Sequence, residues 1–247
     1  MKIIPVLDIL NQTVVRGIAG QRDDYRPIQS RLTQSSQPLE VACALRDEFD
    51  FSEFYVADLD AILQGKLNLH LYDSLREAGF RFLLDCGLRC ASDSTCLNSR
   101  PGISVVAGLE TLSASHELGK LVQQWGAPQT VFSLDLKQGK PLVSHSPENE
   151  FALINDPLKI AELSIQQGIQ QMILLDLAQV GTGQGTGTET LCRTLRSLHP
   201  ELKLITGGGI RNRDDLTAQA ESGADGVLVA SALHDGRIGK EAVLSLS

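Results

Sequence analysis

Two stretches decide the fold. Lys2-Ile3-Ile4-Pro5-Val6-Leu7-Asp8-Ile9 opens the chain, and Thr130-Val131-Phe132-Ser133-Leu134-Asp135-Leu136 repeats its plan. Each is an apolar, β-prone run closing on an aspartate, and Leu7-Asp8-Ile9 recurs as Leu134-Asp135-Leu136 after 127 positions. Other matches follow in the same order. Asp58 to Gly65 corresponds to Asp176 to Gly183 at an offset of 118. Gly87-Leu88-Arg89 with Asp93 corresponds to Gly209-Ile210-Arg211 with Asp215 at 122, and Val105-Val106-Ala107 to Val227-Leu228-Val229 at the same offset. These offsets lie near half of the 247 residues, which predicts one domain made of two duplicated halves, about 1–125 and 126–247.

Short apolar runs fall at 2–7, 53–57, 81–84, 103–107, 130–134, 171–175, 202–206 and 226–229. Continuous rather than alternating apolar character predicts parallel strands buried on both faces. Between them, segments such as 38–47, 68–78, 156–167 and 214–221 have apolar spacing near 3.6 and cap residues, so they predict helices. Eight strand–helix units in this length are the arithmetic of an α/β TIM (β/α)8 barrel. No linker divides it. The longest loops, 17–37 and 138–155, follow the first and fifth strands, in equivalent places, and loops at that end of a barrel carry active sites.

Composition narrows the function. Acids exceed bases by eight, four in each half, which argues against nucleic acid as a partner because phosphate neutralisation needs a basic face. Aromatics are 4%, too few for a base-stacking platform, and no apolar run reaches the ~20 residues that span a bilayer. Five scattered cysteines and an N-terminus without a signal-peptide core predict reduced thiols in the cytoplasm. Cys86, Cys90 and Cys96 match no zinc spacing, so no metal and no cofactor are expected, and the oligomeric state stays open between monomer and small homo-oligomer. The five histidines read as surface residues, His145 being notable for its place in the fifth loop.

Aspartate ends five of the eight runs: Asp8, Asp58, Asp85, Asp135 and Asp176. Each alone would suit a turn, accepting backbone N–H groups. Asp8 and Asp135, in equivalent units across a barrel, suit paired acid–base work, one carboxyl kept protonated and the other ionised. Asp58, Asp85, Glu110 and Asp176 are further candidates to touch substrate or a divalent cation, and Thr182, in the Gly-Thr-rich loop after strand six, could close over it. Gly207-Gly208-Gly209 after strand seven, with Ala230 and Ser231 after strand eight, forms the place where barrels of this type hold phosphate. A small phosphorylated metabolite is the ligand this predicts.

Ile4-Pro5-Val6-Leu7-Asp8 with Val14-Val15-Arg16, Asp58-Leu59-Asp60, Ser133-Leu134-Asp135 with Gly139-Lys140, and Gly207-Gly208-Gly209-Ile210 resemble the histidine-biosynthesis barrels. That family holds ProFAR isomerase (HisA) and the cyclase subunit HisF, and the resemblance, closer to the isomerase, covers the full length. It implies an Amadori-type aldose–ketose rearrangement of a phosphoribosyl substrate, with Asp8 as base, Asp135 as acid and Arg16 at the phosphate side. The sequence also departs from the isomerase. Asp85-Cys86-Gly87 stands where the family has three glycines, Glu110 in a turn that is small there, Leu175 and Val180 for polar residues, and Ala230-Ser231 for a Gly-Arg turn. A carboxylate about 4 Å from a phosphate dianion costs several kcal/mol. Such a pattern is similar to paralogues in organisms with methanopterin-dependent one-carbon metabolism, where the loop 20–30 would fit. The alternatives it implies are a mono-phosphorylated metabolite of that metabolism as substrate, or a non-catalytic phosphate-binding barrel.

Overall fold

In the computed structural model, residues 1–17, 25–144, 149–180 and 185–245 are described. The eight strands are Lys2–Leu10, Glu53–Asp58, Arg81–Asp85, Ile103–Gly108, Thr130–Lys137, Gln171–Asp176, Lys203–Gly207 and Gly226–Val229. Each pairs in parallel with the next, and the eighth closes on the first, Lys2 opposite Gly226 and Pro5 opposite Val229. The fold is therefore an α/β TIM barrel, with helices between the strands. Strands one and five lie diametrically across it, four steps apart in either direction.

Period-2 alternation along these strands divides the apolar residues into two layers. Leu7, Phe54, Val56, Leu84, Phe132 and Leu134 point outward onto the helices. Ile4, Tyr55, Leu83, Val131, Ile173 and Leu228 fill the barrel interior. Pro38–Phe49 shows why the outer helices form. Pro38 pre-sets the first helical turn, Val41, Ala42, Leu45 and Phe49 make one buried stripe, and Asp50 ends the helix in the left-handed region at φ 63°. Its counterpart Pro157–Gln166 also starts on proline, with Asp156 accepting from the Leu158 N–H at 3.0 Å.

The expected long loops carry small ribbons. Thr13–Arg16 folds back antiparallel on strand one, with Arg26–Pro27 beside it, and Lys140–Pro141 folds back on strand five. The strands run one to three residues past most of the apolar runs. Asp8 and Asp135 therefore lie inside their strands, held on both sides by the ladder.

Candidate active site

Strand register decides which aspartates can reach a ligand. Asp8 is level with Ala57, and Ala57 with Asp85; across the barrel, Asp135 is level with Leu175. Those positions face inward. Asp58 and Asp176 lie one residue further along and so face the other side of the wall, level with Ile9 and Leu136. Asp58 accepts from Ala61 N–H at 3.0 Å, Asn68 N–H at 3.3 Å and the Tyr72 hydroxyl. Asp176 accepts from Gln138 N–H at 3.0 Å, Gly139 N–H at 2.7 Å and Ala178 N–H at 3.0 Å. Both were candidates to touch substrate; the structure places both under their loops as turn-closing acceptors. The four acids considered for a divalent cation are thus not brought together.

A cavity of about 540 Å³ opens at the C-terminal end of the barrel, and Asp8, Asp85, Glu110 and Asp135 all line it, with Tyr55 and Lys137. Asp135 is 5% exposed and accepts from the Ser133 hydroxyl at 2.6 Å and from the Glu110 N–H at 3.3 Å. Burial, with the nearby Glu110 charge, still pushes its carboxyl well above the usual range, the Ser133 bond opposing. Burial and the Asp85 charge raise Asp8 to about 7. Two carboxyls on opposite walls are thus both held toward the protonated form, in different surroundings, an arrangement suited to acid–base division. The Tyr55 phenol, buried on the barrel axis, donates to Asp85 at 2.8 Å, and its own ionisation is pushed far up by burial and by the Asp85, Asp135 and Asp8 charges.

The opposite wall is cationic. Arg16, on the ribbon after strand one, makes a two-pronged ion pair with Asp235 at 3.2 and 2.6 Å, and Arg237 reaches the same carboxylate at 2.9 Å. Gly208, Gly209, Ala230, Ser231, Asp235 and Arg237 line the cavity beside Arg16. Two guanidinium groups against one carboxylate leave net positive charge next to glycine backbone. That combination suits a phosphate, because arginine offers planar paired donors. Gly207 itself packs against Leu228, where a Cβ would come within 2.8 Å of the Leu228 Cβ.

The matched turns after strands three and seven keep the same geometry. Gly87 and Gly209 take φ 72° and 79°, in the left-handed region. A Cβ would meet the Ile62 Cα at 2.8 Å in one and the Gly185 carbonyl at 2.3 Å in the other. Asp93 accepts the Arg89 N–H at 2.9 Å, and Asp215 accepts the Arg211 N–H at 2.7 Å.

Sequence reasoning missed Tyr55, Ser133, Asp235 and Arg237. Ser133 stands two residues before Asp135 and Tyr55 two before the inward Ala57, so strand alternation could have found them. Asp235 and Arg237 carried no such signal. The reading of His234 as a surface residue is corrected: it is 2% exposed, packed beneath the eighth-strand turn, and shares a 3.0 Å hydrogen bond with the Ser30 hydroxyl. Thr182 and His145 lie outside the described residues. Among the described residues no helix is long and apolar enough to cross a membrane.

Comparison with known proteins gives a match over residues 2–239 to the family described as Histidine biosynthesis protein. An uncharacterized protein of Methanocaldococcus jannaschii is 29% identical over 249 residues, covering 99% of this chain and 98% of that one. The 1-(5-phosphoribosyl)-5-((5-phosphoribosylamino)methylideneamino)imidazole-4-carboxamide isomerase of Leuconostoc mesenteroides is 29% identical, over 96% of this chain and 95% of its own. The isomerase of the same name from Syntrophomonas wolfei is 26% identical, over 97% and 95%.

Proposed function

The chain belongs to the histidine biosynthesis protein family, and from that premise we propose that it is an aldose–ketose isomerase acting on a phosphoribosyl-type aminoaldose, with Asp8 and Asp135 as its acid–base pair. The observation that carries this reading is the pair of inward carboxyls on diametrically opposed strands of one cavity, both held above the usual carboxylate range. Relatives named as isomerases of a phosphoribosylated aminoaldose support the reaction class. The Arg16 and Arg237 wall with Gly208, Gly209, Ala230 and Ser231 supplies the phosphate seat. The equivalent turns and ribbons support reading the barrel as two duplicated halves.

Asp135, the better buried of the two and held well above the usual carboxylate range by that burial and the Glu110 charge, acts as the acid. It protonates the ring oxygen as the C1–O bond breaks, leaving an open-chain iminium. Asp8, with its pKa near 7, is the base. It takes the C2 proton, and the electron pair moves toward nitrogen to give an enaminol. Asp8 then returns the proton to C1, while the C2 hydroxyl gives its proton to Asp135 and becomes the ketone. Proton transfer by positioned groups of this kind contributes about 10² to 10⁴ in rate. Retention of both carboxyls facing the cavity favours this over a barrel that only binds phosphate. A substrate with one phosphate is the second reading, favoured by Asp85 and Glu110 on the wall across from the arginines.

The test is to incubate the protein with N-(5-phosphoribosyl)amino substrates bearing one or two phosphates and to follow ketose formation. Turnover is expected with at least one, and Asp8→Asn and Asp135→Asn each lower kcat by roughly 10³ with phosphate affinity within about twofold. Turnover of neither substrate, or a near-wild-type rate from either variant, refutes the assignment.

A further inference from the structure

We infer that Asp85 is a built-in anion: its carboxylate fills from within the seat that the turn after strand three would otherwise offer to a second phosphate. The protein therefore selects a substrate with one phosphate, held at the seventh and eighth strands. Hydrogen-bond donors (hydroxyls or an ammonium) lie at the third. The inference rests on the sugar-phosphate reading of the cavity and narrows its substrate class.

The two matched turns carry the argument. Gly87 and Gly209 share the left-handed conformation, close packing against the segment that follows the preceding strand, and the aspartate that ties down the backbone N–H two residues on. The turns are one structure used twice, and they differ in what meets the cavity. After strand seven, Gly208 and Gly209 line it with bare backbone. After strand three, Asp85 lines it, standing where Gly207 stands in the other half. Asp85 is held there at both oxygens: Oδ1 accepts from the Gly87 N–H at 3.2 Å and Oδ2 from the Tyr55 hydroxyl at 2.8 Å. The Gly87 N–H, a donor such a turn would aim at an anion, already has its acceptor. A phosphate arriving here would meet the Asp85 charge, with Glu110 on the same cavity. The phenol is buried in the barrel interior, which fixes its position under the half-buried Asp85 carboxylate. Tyr55 is a positioning residue for Asp85.

The inference is tested by competition binding of ribose 5-phosphate and ribose 1,5-bisphosphate. Wild type is expected to bind the monophosphate at least as tightly as the bisphosphate. Asp85→Gly, which empties the seat, reverses the preference by at least tenfold. Asp85→Asn, nearly isosteric and able to keep its acceptor oxygen, shifts the preference several-fold the same way and covers the case of a glycine variant that does not fold. A tenfold bisphosphate preference in wild type overturns the inference while leaving the isomerase reading intact. So does an unchanged preference in a variant that melts like wild type. Binding of neither sugar phosphate by wild type refutes the sugar-phosphate reading, and this inference with it.

Discussion

The mouth of the barrel has two unlike halves built on like frames. In each, an aspartate faces inward from the first strand, Asp8 in one and Asp135 in the other. In each, the aspartate ending the second strand turns outward to hold a loop, Asp58 and Asp176. In each, a left-handed glycine closes the third turn. What differs lies on the cavity wall. One half presents Asp85 and Glu110; the other presents glycine backbone and Arg237, which Arg16 joins from the ribbon after strand one. Backbone geometry is tied to many neighbours at once, whereas a side chain facing open space can change sign at small cost to the fold.

The likeness is broken most severely at the outward aspartates. Asp58→Ala is expected to cost about 3 kcal/mol, because it leaves buried backbone donors and the fully buried Tyr72 hydroxyl without their acceptor. Asp176→Ala loses backbone bonds only and is expected to cost about 2 kcal/mol. Urea unfolding measures both, and equal values would show that the Tyr72 contact adds nothing. The unlikeness is sharpened at the arginines. Arg16→Ala and Arg237→Ala should each weaken inorganic phosphate binding by about tenfold, the scale of one charge-assisted contact. Asp85→Asn should not weaken it. Loss of phosphate affinity through Asp85 would mean the two walls are not separate in function.

The smallest effect is on stability against pH. The folded chain binds a proton at Asp8 up to about pH 7, where an unfolded aspartate releases it near 4. This contribution is complete below about pH 4 and is lost as pH rises through 7. Buried His234, lowered to about 4, works the opposite way, its contribution lost as pH falls below the ordinary histidine value. The difference between Asp8→Asn and wild type isolates the first. The variant's gain in Tm is expected to grow by a few degrees between pH 5 and pH 8. A gain constant across that range would mean Asp8 is not held toward protonation.

Much of the site could be read without coordinates. Leu7-Asp8 and Leu134-Asp135 pointed to the opposed pair because the two stretches repeat, and Gly208 with Gly209, read as a phosphate seat, do line the cavity. Asp58, Asp85 and Asp176, by contrast, looked alike. Asp58 and Asp85 both close apolar runs, and nothing local to either says which side of the wall it faces. Asp235 gave no sign of its role either, since its partner Arg16 is 219 residues away.

The order of eight strands with helical segments between them, the turn glycines and the proline-started helices follow from local patterning, and the sequence by itself determined them. Tertiary structure decided the rest through pairing register. A strand alternates every residue, so a one-residue difference in where neighbours align sends Asp85 into the cavity and Asp58 out of it. Closure of the barrel then brings the first ribbon against the eighth-strand turn, giving Arg16 its carboxylate partner and the cavity its cationic wall.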